Sequence, residues 1–282
     1  MTRLRSTNQT LRNALRRTAG TVIAAAMLGL MAPGGQTLAA DAFSSDWVSG
    51  AKSQARLIAA DGRLAGFEIK LAPGAITYWR NPGDSGLPPS FDFSASDNVA
   101  DVEPIFPAPK RIVEADGGEA FGYDRGVVFP LRVTPRDGSK PVTLALHADY
   151  AVCEKICLPA QARLSLTLPG AATSPYAGAI EAALAAAPRA VEAQDFGTIA
   201  PEGADAWRVC APAQAGPPRA LFVEAPTGWW LKVTPEAGAA GKDCFRLALQ
   251  DKPKNAAPPV ELRLTLTGRA GAVETTLNAP PM

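Results

Sequence analysis

The chain has 282 residues, with 28 Lys and Arg against 27 Asp and Glu, one His and four Cys. Five of the basic residues, Arg3, Arg5, Arg12, Arg16 and Arg17, fall in the first 40 positions, which hold no acid. Loss of that segment leaves 23 basic against 27 acidic residues, a net charge of −4, which argues against nucleic acid or anionic lipid as a partner.

From the N-terminus, the arginine-rich start is followed by an apolar run, "TVIAAAMLGLMA", from Thr21 to Ala32. Twelve residues fall well short of the roughly 20 that span a bilayer. Pro33, two glycines and "QTLAA" then supply small residues suited to cleavage after Ala39 or Ala40. The pattern predicts a secretory signal peptide over 1–40, with Arg16-Arg17 only a weak sign of the twin-arginine route. No second long apolar segment follows, so the expectation is a soluble exported protein. Its cysteines, Cys153, Cys157, Cys210 and Cys244, all lie in the exported part, where disulfides persist. Four cysteines allow three pairings, and spacing alone does not choose among them.

From Trp47 to about Leu168 the chain is a series of short apolar segments separated by turn residues. "ARLIAA" ends at Asp61-Gly62, "LAGFEIKLA" at Pro73-Gly74 and "AITYWR" at Asn81-Pro82-Gly83; "VVFPLRV", "VTLALHADYAV" and "ARLSLTL" follow. In the last, Leu164, Leu166 and Leu168 share one face, and Arg163, Ser165 and Thr167 the other. Such alternation at this spacing predicts an antiparallel β-sandwich, taken as a domain over 41–172. "SPYAGAIEAALAAAPRAVEA" then predicts a helix, with Ser174 as N-cap and an alanine-rich body as far as Pro188. Short strands and proline or glycine turns return from "AWRVCAP" onward. The expectation is an all-β protein: a sandwich, a short helix, and a second, smaller β domain within 173–282.

In "DYAVCEKICLPAQARLSL" (149–166), Cys153 and Cys157 are separated by three residues. In extended chain their α-carbons would lie roughly 13 Å apart, twice the reach of a disulfide, so a bond between them requires a tight corner joining two strands. A bridge across so short a loop removes little unfolded-state entropy, which points away from a purely structural role. Cys210 and Cys244 would enclose about 35 residues, worth on the order of 3 to 4 kcal/mol in the chain-entropy model, and suit a structural staple. A redox pair, a local structural bridge and a metal site all remain open for Cys153 and Cys157. Metal ranks last: the single histidine, His147, reads as a half-exposed strand residue, and no methionine is near. No cofactor fingerprint, phosphate loop or Ser-His-Asp arrangement is present, so no cofactor beyond the cysteines is expected.

A reactive thiolate needs a cation or helix terminus nearby; Lys155 favours it and Glu154 opposes it. A dithiol in an oxidising compartment also needs shielding. Tyr150, Phe121 and Tyr123 are the aromatic candidates, with a core role as the alternative for each.

"ITYWRNPGDSGLPPSFDF" (76–93), "FPAPKR" (106–111), "FGYDRGVVFPLRV" (121–133) and the cysteine segment together resemble the N-terminal periplasmic domain of thiol:disulfide interchange protein DsbD and its soluble and ScsB-like relatives. The resemblance spans roughly 45–170. It implies an immunoglobulin-like sandwich whose two cysteines pass reducing equivalents from a membrane-embedded dithiol carrier to periplasmic thioredoxin-fold proteins, such as disulfide isomerases and cytochrome c maturation proteins. It carries the redox role onto Cys153 and Cys157, makes Cys157 the sulfur that joins partners, and makes Phe121 the cap residue. The C-x3-C spacing here is shorter than in the best-known members. The electron carrier and a thioredoxin domain would be separate proteins, and the region of Cys210 and Cys244 lies outside the matched part. Two rival readings are a non-catalytic immunoglobulin-like binding module with two inert disulfides, and a copper(I)-binding or copper-tolerance protein.

Overall fold

The computed structural model describes residues 41–114, 117–170, 174–213, 219–256 and 259–282; the expected signal segment, 1–40, lies outside them. Eleven strands form the first sandwich: β1 (Val48–Gly50), β2 (Ser53–Ala59), β3 (Leu64–Leu71), β4 (Ile76–Gly83), β5 (Ser90–Asp92), β6 (Val99–Pro104), β7 (Lys110–Val113), β8 (Glu119–Tyr123), β9 (Val127–Pro135), β10 (Thr143–Cys153) and β11 (Cys157–Thr167). One sheet runs β1-β2-β3-β9-β6; the other runs β11-β10-β4-β8-β7, with β5 paired to β10. Their pairings are all antiparallel.

Alternation explains the core. Val127, Phe129, Leu131 and Val133 of β9 are buried, as are Ala160, Ala162, Leu164 and Leu166 of β11, whereas Gln161, Arg163, Ser165 and Thr167 are exposed. Phe67 sits at the centre, with the rings of Phe91, Phe129 and Tyr150 at 5.5, 6.3 and 6.1 Å. Each fully buried Leu or Phe stabilises the fold by about 1.5–3 kcal/mol relative to exposure, so this two-sheet interior is the main source of stability.

The predicted helix is present but shorter. Helix α1 covers Ala177–Ala185, with Tyr176 in the N-cap position and no side-chain cap. Ser174 is spent elsewhere: its hydroxyl accepts from the Tyr176 N–H at 3.0 Å and donates to the Ala59 carbonyl. That contact, with Ile180 buried against Ile58 and Ala60, docks the helix on the first sandwich rather than on the second.

The rest of the chain forms β12 (Arg189–Ala190), α2 (Ala193–Phe196), β13 (Thr198–Pro201), β14 (Ala206–Pro212), β15 (Ala220–Glu224), β16 (Trp230–Glu236), β17 (Lys242–Asp251), β18 (Val260–Gly268) and β19 (Gly271–Ala279). Two four-stranded sheets result, β12-β19-β18-β15 and β13-β14-β17-β16. They enclose a separate core around Trp207, Phe245, Leu262 and Leu264. Cys210 and Cys244 are directly opposed on β14 and β17 and are joined by a disulfide.

The two sandwiches meet at a seam. Phe222 of β15 leaves its own core and is buried in the first, edge-on to Trp79 at 5.7 Å and Phe121 at 4.9 Å. Around this plug, Arg80 grips Glu224 through two nitrogens and also pairs with Glu274, which Arg263 and Thr265 hold at 2.7 and 2.9 Å. The Asn81 amide donates to the Val223 carbonyl at 2.9 Å, and Arg111 donates to the carbonyls of Leu221 and Val233. Burial alone would raise the Glu274 pKa; the Arg80 charge, with Arg263 and Thr265, outweighs it and holds the carboxyl below its ordinary value.

Candidate functional site

Strands β10 and β11 form a hairpin of eleven registered pairs that ends on Cys153 opposite Cys157. Glu154, Lys155 and Ile156 make the loop, so the C-x3-C spacing is the tight corner that the sequence requires. The two cysteines are bonded, with α-carbons 4.1 Å apart. Their environments differ sharply: Cys153 is buried at 4 % exposure, while Cys157 is exposed. One cysteine is enclosed by protein and the other is open to solvent.

Strand β4 supplies the closest neighbour. Val152 and Cys153 pair with Thr77 and Ile76, and the Thr77 hydroxyl donates to the Ala151 carbonyl at 2.8 Å. This register carries the next residue, Tyr78, to the disulfide: its hydroxyl donates to Cys153 Sγ at 2.7 Å and lies 3.3 Å from Cys157 Sγ. Tyr78 is fully buried. Burial, reinforced by the Glu114 charge, pushes its pKa above the ordinary phenol value, against a hydrogen bond with Ser85. It is therefore a protonated donor at neutral pH.

Two glycines make this packing fit. A Cβ on Gly122 would meet the Thr77 carbonyl oxygen at 2.1 Å, so β8 approaches β4 only as glycine. Gly86, at φ +94°, lies against the Tyr78 ring, where a Cβ would come within 2.3 Å. Ala120, Ala151, Ile76 and Ile112 complete a small apolar cluster around Tyr78 and Cys153.

The aromatic residues expected as shields lie elsewhere. Phe121 and Tyr123 are two apart on β8 and share its inward face: Phe121 meets Phe222, and Tyr123 packs on Phe129 while donating to the Pro107 carbonyl at 2.9 Å. Tyr150 is buried in the main core, hydrogen-bonded to Ser53 at 2.9 Å, one strand face away from Cys153. The physical reason is parity, since Tyr150 and Val152 point inward and Ala151 and Cys153 outward. Tyr78 and the cluster around it cover the buried sulfur instead.

Charges at the tip are already engaged. Lys52, at φ +50° in the β1–β2 turn, pairs with Glu154, whose carboxyl it holds below the usual range by hydrogen bond and charge. Lys155 is exposed. His147 is six residues up β10, about 20 Å away along a strand, with its Nε2 4.0 Å from Asp149. Among the described residues no group of three or more His, Cys, Asp or Glu is placed to hold a metal ion.

Of the four large apolar side chains most exposed among the described residues, three sit near the site by chain position. Ile156 (69 %) is in the loop, Leu87 (63 %) follows the glycine that covers Tyr78, and Val113 (71 %) precedes Glu114. Neither Tyr78 nor these three is singled out by the sequence reading. Ile156 alone carried a local signal, as an apolar residue inside a three-residue loop.

Residues 46–169 match the family model described as "Thiol:disulfide interchange protein DsbD, N-terminal". No curated protein gives a significant match. Among solved structures, the N-terminal periplasmic domain of ScsB from Proteus mirabilis is similar with a TM-score of 0.66 at 19% identity, over 85% of this chain and 99% of that one. Coverage of that extent takes in the second sandwich as well as the first, so the two-sandwich architecture is common to both. Among the described residues, no helix is long and apolar enough to cross a membrane.

Proposed function

We propose, from the premise that residues 46–169 belong to the DsbD N-terminal family, that this protein is a periplasmic thiol:disulfide interchange protein. In this reading the Cys153–Cys157 pair relays reducing equivalents between a separate membrane-embedded dithiol carrier and periplasmic thioredoxin-fold proteins. The observation that carries it is the division of the pair into an exposed Cys157 and a buried, hydrogen-bonded Cys153.

A thiolate of the reducing partner attacks Cys157 Sγ, forming a mixed disulfide, and Cys153 leaves as a thiolate with the Tyr78 hydroxyl donating to it. The partner's second thiolate then attacks its own sulfur in the mixed disulfide and releases Cys157. The partner dithiol ends as a disulfide and the Cys153–Cys157 disulfide as a dithiol. Passing the electrons on reverses these steps with an oxidised acceptor. Ile156, exposed in the loop between the two cysteines, offers an apolar contact for such partners. The periplasmic ScsB relative and the arginine-rich, apolar N-terminus support export. Two separate cores support a first domain over 41–172, on which helix α1 docks, and a second β domain that starts after that helix and not at 173, in which Cys210–Cys244 serves as the staple.

The test is a redox titration of the mature protein against dithiothreitol or glutathione, with each disulfide read by mass spectrometry after alkylation. Reduction of Cys153–Cys157 between about −180 and −270 mV, with Cys210–Cys244 intact, is the expected result. If both bridges stay oxidised to below about −300 mV, as structural disulfides do, the protein is a binding module and not an interchange protein.

A further inference from the structure

The loop between the cysteines holds two opposite charges, and the structure treats them differently. Glu154 folds back over the first sandwich: its carboxylate pairs with Lys52, and a Cβ on Gly74 in the β3–β4 turn would come 3.7 Å from one of its oxygens. Lys52 is anchored, since its backbone lies at φ +50°, uncommon for a non-glycine residue, and its carbonyl accepts from the Ala72 N–H at 2.8 Å. Lys155 is exposed and, among the described residues, makes no salt bridge or hydrogen bond. With half of the Lys52 side chain and a third of the Glu154 side chain exposed, their pairing contributes little to stability. Its consequence is the charge presented beside the exposed Cys157. Glu154 and Lys155 alone sum to zero; with Lys52 the three sum to +1.

We propose that Lys52 is a specificity-determining residue for the exchange: by cancelling Glu154 it leaves the cysteine loop with the net positive charge of Lys155, which favours partners that are acidic around their reactive sulfur. This rests on the interchange function above. Opposite charge around two meeting sites speeds their encounter and like charge slows it, with no new contact needed. The loop residues adjoin the cysteines, inside one Debye length of ~8 Å at physiological salt. At that separation in water, one unit charge changes the encounter rate of another by roughly twofold. The effect multiplies for a partner that carries several charges. Lys52 acts through Glu154 and is a positioning residue.

The experiment uses the full mature chain with Cys153→Ser, which leaves Cys157 as a free thiol. Its thiolate attacks one sulfur of oxidised glutathione, which is anionic, or of cystamine, which is cationic. One half stays on Cys157 as a mixed disulfide, and the other leaves as a thiolate that takes a proton from water. The measured quantity is the ratio of the two rates at one pH, to which the Cys157 thiol and its accessibility are common. Comparing variants then cancels every unaltered charge, that of Glu114 beside Tyr78 included. Lys52→Met is expected to lower the glutathione-to-cystamine ratio by at least about fourfold at low salt, and Glu154→Gln to raise it by as much. The double variant returns the ratio to within about twofold of the parent, and in about 1 M salt all the ratios converge. Unchanged ratios in both single variants overturn the proposal. So does a Lys52→Met loss that the double variant fails to restore, or one that persists in high salt, since packing and not charge would then be its cause. Failure of dithiothreitol to reduce the wild-type pair sinks the interchange reading instead, and it is read on a different protein with a different reagent.

Discussion

Replacing Tyr78 with Phe removes one oxygen from a fully buried ring and leaves the packing of Gly86, Ala120 and Ile112 in place. What is lost is the donor 2.7 Å from Cys153 Sγ. In the reduced protein that hydroxyl favours the Cys153 thiolate over the thiol, because hydrogen bonds to charged groups contribute about 1.5–3 kcal/mol and a neutral thiol is a weak acceptor. At 1.36 kcal/mol per pKa unit, the Cys153 thiol should rise by about one to two units. Two neighbouring thiols titrate jointly, so the assay belongs in a Cys157→Ser background, following the thiolate by ultraviolet absorbance against pH with and without Tyr78→Phe. A midpoint that moves by less than about half a unit in a folded variant would refute the reasoning and leave Tyr78 a packing residue. With Cys157 restored, the higher pKa makes Cys153 a poorer leaving group, and reduction by dithiothreitol should slow accordingly.

Phe222→Ala should cost about 3–5 kcal/mol in urea unfolding, since the ring is fully buried between Trp79 and Phe121; a loss under about 1 kcal/mol would mean that the seam holds nothing. Glu274 has a folded pKa below its ordinary 4.5, so its stabilisation is present above that value and is lost as pH falls through the folded pKa. Acid unfolding of wild type should therefore show a component that Glu274→Gln lacks, and superimposable stability-versus-pH curves would contradict this. Gly86→Ala forces a Cβ onto the Tyr78 ring at a left-handed backbone position, and should lower stability by at least about 1 kcal/mol, read from the urea midpoint. Replacing both Cys210 and Cys244 with Ala should cost about 3 to 4 kcal/mol while leaving the Cys153–Cys157 potential unchanged; a moved potential would mean that the two bridges are coupled.

Reading alternation along "ARLSLTL" located the buried face of β11 correctly, because parity within one strand needs no knowledge of its neighbours. The corner at Cys153 and Cys157 followed in the same way from bond geometry. Tyr78 escaped because its role depends on which strand lies beside β10, and it is 75 residues away in sequence. Choosing shields by nearness in sequence led to Tyr150, whose ring is on the opposite face of the strand that carries Cys153. Phe121 and Tyr123 carried the same uncertainty of facing, and both turn inward. The seam was equally hidden, since Phe222 reads as an ordinary core residue of its own strand and only the structure shows it buried in the other sandwich.

Ten registered pairs remain between β10 and β11 when the bond at the tip is cut. If the pair relays electrons as proposed, the hairpin keeps its backbone pairing through reduction and oxidation, and no folding step stands between turnovers. A partner then has little main-chain difference by which to tell the loaded form from the spent one. Discrimination in that cycle is read at the scale of a few atoms: a sulfur released or bound, and the phenol hydroxyl beside it.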